Sequence, residues 1–495
     1  MPTPTAAVDL PEPLPEDTRA LAEQIVSRAS GSEAAADNRI EVLLDSTENF
    51  PAWQAAIASA CHSIDIEMYI FTNNAFGHQI RDLLIEKQQQ GVQVRLVYDW
   101  FGSVWAHYRG FFRPLRAAGA VVVAYNRPSL VGGIGLISRN HRKSIVIDGH
   151  TAFVSGLCIS SAWCGDAAKG VAPWRDTGVK LTGPIVQQVS DAFADTLQSQ
   201  QNSASHTARY SRCHPHSPRH SGTAQARIVA TTPDNGNMMR LDLNAVTLAQ
   251  ENLWITDAYF MPTRLYTQAL INAAQAGVDV RLLVPRTSDI RWIGNVSRTQ
   301  YRSLLEAGVR VFEWNGSMIH AKTAIVDGRW ARVGSTNLNL SSWAINRELD
   351  VSIEDSATVA RLTSVFADDL QHATEVVLNQ AQQTELKQRR QKHKQGFKRG
   401  STNALAQRLL QLGHVFDGSI YGTRIVDKDE AQAYLSIGVG LLLLAALLWF
   451  LPQLVVYPLL LLLVMSGLAT TWSAIKRLRQ YRRNPPPIKE NDPLA

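Results

Sequence analysis

Short apolar runs alternate with amphipathic stretches through the middle of the chain, and the whole pattern occurs twice. "SIDIEMYIF", a helix-like stretch and "GVQVRLVYD" span residues 63–99; "NLWITDAYF", another such stretch and "GVDVRLLVP" answer them at 252–285. "FRPLRAAGAVVVAYN" (112–126) and "YRSLLEAGVRVFEWN" (301–315) follow. Each half then reaches an apolar strand that opens with a histidine and a lysine, "HRKSIVID" (141–148) or "HAKTAIVD" (320–327). Later come "WRDTGVKL" (174–181) and "NRELDVSI" (346–353). Apolar runs of four to six residues, separated by stretches containing "AAG" or "EAG", predict a largely buried sheet covered by helices. The predicted order in each half is strand, helix, strand, helix, strand, motif strand, strand. A repeat as long as a domain points to duplication followed by pseudo-twofold pairing.

The flanks break this pattern. Residues 1–37 are expected to form a disordered Pro/Glu-rich arm with one short helix and no apolar signal segment. Residues 201–225 are polar and nearly free of large apolar side chains, a flexible linker between a first half at 38–200 and a second at 226–378. Between Glu430 and Lys476 there is no charged residue. One helix of that length would overshoot the roughly 30 Å of bilayer hydrocarbon that about 20 residues cross. Two transmembrane helices over 431–475, turning near Leu451-Pro452-Gln453, are therefore expected.

Charge adds a location. "KQRRQKHKQGFKR" (387–399) lies in a basic linker at 379–430, and Lys476, Arg477, Arg479, Arg482 and Arg483 open a basic tail at 476–495. The positive-inside rule places both flanks, and the repeat before them, in the cytoplasm. Such runs suit an anionic membrane surface, at about 1 kcal/mol per residue. The formal net charge of +6 gathers beside the apolar stretch instead of along the repeat, so no nucleic-acid partner is expected. Cys61, Cys158, Cys164 and Cys213 make neither a disulfide framework nor a zinc pattern. His206, Cys213, His214, His216 and His220 in the linker fit no usual ligand set, and no metal is expected.

The repeated H-x-K-x4-D carries the chemistry. By chance it should occur about once in thirty chains of this length, given each residue type at a few per cent; here it occurs at matched positions of a repeat. Period-two geometry puts His141 and Lys143 on one face of their strand, and likewise His320 and Lys322. Paired across a pseudo-twofold, two imidazoles and two ammonium groups converge on one pocket. Imidazole takes or gives a proton near neutral pH, and lysine binds the non-bridging oxygens of a phosphate. Such a pocket suits a phosphodiester. Ser335 and Asn337, in "GSTNLN" after the second motif, are candidate phosphate donors. Asp176 and Glu348, equivalent in the repeat, are candidate orienters that accept from imidazole Nδ1. Asp148 and Asp327 complete the catalytic motif, although their place at strand ends suits bracing of the fold. Asp99, ending a strand, suits a loop cap or a substrate contact. Trp105, Trp163 and Trp174 are candidates for core packing or for a channel wall.

These motifs resemble the phospholipase D superfamily, and "YIF" (69–71), "HRK" with "IVID", "AYF" before Met-Pro, "WRDTGVKLTGP" (174–184) and "VGSTNLN" resemble bacterial cardiolipin synthases. The resemblance runs from about residue 38 to 378. It implies an α/β fold of two pseudo-symmetric sandwich domains of phospholipase D type, to which the sequence adds a C-terminal transmembrane hairpin. It implies phosphatidyl transfer between phospholipids, phosphatidylglycerol among them, at the bacterial inner membrane. The expected route is a phosphohistidine on His141 with His320 as acid and base, and no cofactor. Hydrolytic release of phosphatidic acid uses the same residues, and a nuclease is the more distant alternative. One departure stands out: "VSGLCIS" in the first half puts Ser155-Gly156 for Gly-Ser and Cys158 for the asparagine.

Overall fold

The computed structural model describes residues 16–128, 138–166, 168, 170–201 and 221–378, with scattered helical positions between Val439 and Trp472. The chain divides into two compact units, Met1–Tyr125 with Arg139–Gly422, and Asn126–Ser138 with Thr423–Ala495. Among the described residues no helix is long and apolar enough to cross a membrane. The hairpin expected over 431–475 lies almost wholly outside the described residues, as do linker residues 202–220 and the basic linker at 379–430.

The first unit carries the repeat. Its first half contains β1 (Ala35–Leu44), β2 (Ser63–Met68), β3 (Gln93–Asp99), β4 (Val121–Tyr125), β5 (Lys143–Ile147), β6 (Thr151–Ser155) and β7 (Thr177–Thr182). They lie side by side as β4-β3-β2-β5-β6-β7-β1. The second half contains β8 (Ala224–Thr231), β9 (Asn252–Thr256), β10 (Asp279–Pro285), β11 (Arg310–Trp314), β12 (Thr323–Val326), β13 (Trp330–Gly334) and β14 (Glu348–Glu354). These repeat the order as β11-β10-β9-β12-β13-β14-β8, and β15 (Ala373–Val376) adds an edge beside β11.

In each half the first three strands of the repeat run parallel and the motif strand reverses direction. β1 pairs antiparallel with β8, with a register break between Ala35 and Asn38, which joins the halves into one fifteen-stranded sheet. β6 and β7 also pack against β13 and β14 without hydrogen-bonding to them. Val154, Val179 and Leu181 of one half meet Val333, Leu349 and Val351 of the other in one core. Each such side chain removed from water contributes about 1.5–3 kcal/mol, so the facing of the two halves is strongly favoured. The α/β halves expected from the repeat are present, joined by one continuous sheet.

Two features differ from the expected pattern. β1, β6 and their counterparts β8 and β13 were not predicted. β6 follows β5 through Asp148-Gly149, with φ of 53° and 65°, and β13 follows β12 through Asp327-Gly328, with φ of 51° and 61°. Asp-Gly with two positive φ values is the tight hairpin turn that matches strand twist, so each motif strand folds straight back on itself. The short helix expected in the arm spans Glu16–Ser30, but it docks on the repeat instead of standing in a disordered segment. β1 begins at Ala35, inside the arm's expected end at residue 37. Ala29 and Ser30 of the helix are buried, and Glu23 pairs at 2.6 Å with the fully buried Arg227. That guanidinium is paired from two sides, by Glu354 of β14 at 3.2 Å and by Glu23 of the helix.

Candidate active site

His141 and His320 stand just ahead of β5 and β12, and each is fastened to the opposite half. The His141 N–H donates to the Arg347 carbonyl at 2.9 Å, and the His320 N–H to the Arg175 carbonyl at 2.7 Å. Arg175 and Arg347 are equivalent positions of the repeat, so the exchange is reciprocal. The side chains follow suit. His141 Nδ1 donates to Glu348 Oε2 at 2.8 Å, and His320 Nδ1 donates to Asp176 Oδ2 at 2.9 Å. Each orienting carboxylate therefore serves the histidine of the other half.

Both carboxylates are fully buried. Burial pushes Asp176 up, but His320, Lys322 and the Trp163 indole together hold it below its ordinary value. Burial likewise raises Glu348, and His141, Lys143 and Ser335 outweigh it. An ionised carboxylate only accepts, so the proton on each ring sits at Nδ1 and the Nε2 lone pair is the working end.

The two carboxylates are braced differently. Glu348 Oε2 also accepts from the Ser335 hydroxyl at 2.6 Å, while the same hydroxyl accepts from the Leu349 N–H at 2.9 Å. Ser335, expected to donate to phosphate, is instead committed to Glu348; its place in a turn gave no sign of the partner. Asp176 takes Trp163 Nε1–H at 2.7 Å and the Thr177 N–H at 2.8 Å. Gly156, the counterpart of Ser335, has no room for a side chain: a Cβ there would lie 2.2 Å from Asp176 Oδ1. The Ser-Gly departure in the first half is thus the space that Asp176 occupies.

The lysines close the pocket. Lys143 Nζ donates to the His141 carbonyl at 2.5 Å and lies 5.0 Å from the Tyr69 ring centre; Lys322 Nζ is 2.8 and 3.0 Å from the two His320 ring nitrogens and 5.8 Å from the Tyr259 ring centre. Burial lowers both lysines, Lys322 to about 8. His320 is pushed down to about 3, first by burial and then by Lys322. His141 is lowered by burial, partly offset by Glu348. The resting pocket therefore holds neutral imidazoles and a cationic lining, a state that an anionic phosphate relieves: its charge restores the lysines and favours protonation of one ring. Lys322 acts on His141 and Lys143 on His320, so the four groups share one field.

Asn337 is buried, and its Oδ1 has no protein partner among the described residues. Its neighbours are clamped: the Leu338 N–H donates to Asp257 at 2.7 Å, Thr336 bonds Asp350, and Arg332 donates to the Thr336 carbonyl at 3.2 Å. Arg332 also pairs with Asp242 at 3.0 Å and Asp350 at 3.2 Å. An unpaired amide oxygen accepts, so it suits a ligand hydroxyl, while the NH2 of the same amide is the end that donates to phosphate. Cys158, its counterpart, is fully buried in the core, and burial raises its thiol.

The motif aspartates lie elsewhere. Asp148 accepts from the Cys61, His62 and Ser63 N–H groups at 2.7–2.8 Å, and Asp327 from those of Gln250, Glu251 and Asn252 at 2.8–2.9 Å. Each sits at the far end of its strand from the histidine, about 3.3 Å further per residue. They brace the fold and do not reach the pocket, so of the three motif residues expected to be catalytic, the histidine and lysine alone stand at it. Asp99 caps a loop, accepting from the Phe101, Gly102 and Asn140 N–H groups, and thereby sets the approach to His141; burial pushes it up to about 6.

Trp163 and Trp174 pack on His320 at ring distances of 5.1 and 5.5 Å, whereas Trp105 is exposed. Tyr69 lies 4.8 Å from the His141 ring and Tyr259 5.7 Å from the His320 ring. The tyrosines had no predicted role; both sit at the end of the strand beside the motif strand, one residue apart in the repeat alignment, an offset that hid them.

A duplicated α/β fold that brings two His-Lys pairs into one buried pocket defines the phospholipase D class of enzymes. The profile described as "Cardiolipin synthase, PLD-like domain" matches residues 54–163 and 243–370. The cardiolipin synthase of Alkalihalophilus pseudofirmus is 34% identical over 340 residues, 68% of this chain and 67% of its own. The major cardiolipin synthase ClsA of Bacillus subtilis is 32% identical over 342 residues, 68% of this chain and 69% of its own. Among solved structures, phosphatidylserine synthase of Haemophilus influenzae aligns with a TM-score of 0.55 at 15% identity, covering 74% of this chain and 97% of that one, a likeness of fold. The chain belongs to the cardiolipin synthase family of phospholipase D-like enzymes.

Proposed function

We propose that this protein is a phosphatidyltransferase that makes cardiolipin from phosphatidylglycerol. The observation that carries the reading is the exchanged pairing, His141 with Glu348 and His320 with Asp176, beside Lys143 and Lys322 in one buried pocket. His141 Nε2 attacks the phosphorus of one phosphatidylglycerol; a P–N bond forms and the P–O bond to glycerol breaks. His320, protonated once the phosphate is bound, gives its proton to the leaving glycerol oxygen. The hydroxyl of a second phosphatidylglycerol then loses its proton to His320 and attacks phosphorus, and the P–N bond breaks to release cardiolipin. The lysines and the NH2 group of Asn337 donate to the non-bridging oxygens, where charge builds in the transition state.

Uncharged residues 431–475, with basic residues on both sides, support two membrane-spanning helices that hold the enzyme at the inner face of the cytoplasmic membrane, beside its substrate. The test is expression in a cardiolipin-free bacterial host, with lipid extracts analysed by mass spectrometry. Cardiolipin with the native chain and none with His141→Ala is the expected result; phosphatidic acid in place of cardiolipin would assign hydrolysis instead.

A further inference from the structure

We propose that an aromatic rim made by Phe101, Trp105 and Tyr108 in the first half and by Trp292 in the second docks the pocket into the headgroup layer of an anionic bilayer. Outside the C-terminal apolar stretch, these four are the exposed aromatic side chains among the described residues, at 55%, 74%, 68% and 60% exposure. Scattered single apolar residues on a surface need no explanation, but exposed aromatics at equivalent places of a repeat, each segment hydrogen-bonded to a tyrosine that packs on a motif histidine, do.

The rim is attached to the pocket at both sides. In the first half it follows β3, and the Ser103 hydroxyl accepts from the Phe71 N–H at 2.9 Å and donates to the carbonyl of Tyr69, the tyrosine that packs on His141. Tyr98 Oη and His107 Nδ1, 2.6 Å apart, hold the inner face of the short helix Val104–Tyr108, which leaves Trp105 on the outer one. In the second half Trp292 follows β10, and the Tyr259 hydroxyl, next to His320, donates to Asp289 at 2.9 Å. The two segments occupy equivalent places in the repeat, so each half contributes one wall of the rim. Exposed Ile290 and Leu340 extend it: Ile290 precedes Trp292, and Leu340 follows the clamped Asn337 loop.

Charge selects the occupant. From Trp100 to Ile147 the sequence holds no Asp or Glu, and Arg109 and Arg113 are exposed beside the first aromatic group. Arg286 is exposed ahead of Trp292, and the one acid between them, Asp289, is engaged by the Tyr259 hydroxyl. Tryptophan and tyrosine prefer the boundary between headgroups and acyl chains, and arginine adds attraction to anionic lipid. A second copy of the chain would meet like charge here.

This inference rests on the lipid reading for its substrate, and its test separates the two. Full-length protein is placed in nanodiscs of phosphatidylglycerol or of phosphatidylcholine, and hydrogen exchange is followed at 100–112 and 286–296. Protection of both segments in phosphatidylglycerol is expected. No protection, or protection that tracks protein concentration instead of lipid, overturns the proposal. In mixed micelles, Trp105→Ser with Trp292→Ser should raise the interfacial KM about five- to tenfold while kcat changes by about twofold or less; an equal loss in kcat with KM unchanged also overturns it. If the native chain makes no cardiolipin but the exchange result holds, the function fails and the docking surface stands.

Discussion

Glu348→Gln separates the charge of an orienting carboxylate from its shape. Glu348 accepts from His141 Nδ1–H at 2.8 Å and from the Ser335 hydroxyl at 2.6 Å. An amide can turn its oxygen to one of these donors but sets its NH2 against the other. With the NH2 toward His141 the ring takes the opposite tautomer, which puts the proton on Nε2 and removes the lone pair that attacks phosphorus. Loss of one hydrogen bond to a charged group costs about 1.5–3 kcal/mol, or about one to two powers of ten at 1.36 kcal/mol each. With the wrong tautomer added, kcat should fall about 10³–10⁴-fold. The assay is release of labelled glycerol from phosphatidylglycerol in mixed micelles, with thermal melting as the control for folding. Ser335→Ala, which keeps the charge but loses one donor, should fall about 10–100-fold. Activity of Glu348→Gln above a tenth of native, with folding intact, would refute the reasoning. So would a change in the ¹⁵N signals of His320 with those of His141 unmoved, because the carboxylate would then serve its own half.

The pH behaviour of His320 follows from its environment. Its folded pKa of about 3 lies below the ordinary 6.5, so its stabilising contribution is complete above pH 6.5 and is lost as pH falls toward 3. A histidine ¹³C titration of the ligand-free protein should find His320 neutral from about pH 8 to 5, and Lys322→Gln should move its pKa upward; titration near 6.5 in the native chain contradicts this. Gly156→Ala places a Cβ 2.2 Å from Asp176 Oδ1 and should cut kcat by about 100-fold or more through displacement of that carboxylate, as steady-state turnover would record. Asp148→Ala loses three backbone donors and a residue suited to φ of 53°, and should cost about 3 kcal/mol or more in stability. Its kcat below the lowered melting temperature should stay within about twofold of native, since Asp148 braces the strand without touching the pocket; a selective loss of turnover is the contrary result.

Much of this protein is local and therefore visible along the chain. Strand and helix periods repeat at matched positions, and histidine and lysine two residues apart must share a strand face, whatever surrounds them. Asp148-Gly149 and Asp327-Gly328 were equally visible as hairpin turns, and reading them so would have supplied β6 and β13. The short helix of the N-terminal arm was visible in the sequence, but not its docking on the repeat, because one of its anchors, Arg227, lies about two hundred residues away.

Partner choice is where sequence stopped. Asp176 and Glu348 stand at equivalent positions, and nothing along the chain says whether each serves its own histidine or the other's. Likewise Ser335 was free, on sequence grounds, to face a phosphate or a carboxylate. The stacking of β6 and β7 on β13 and β14 settled both, because it carries each carboxylate across to the opposite imidazole and closes Ser335 behind it. Hydrogen bonds are set by separations of tenths of an ångström, whereas a repeat in sequence specifies only which faces are apolar; the first needs the packed core, and the second does not.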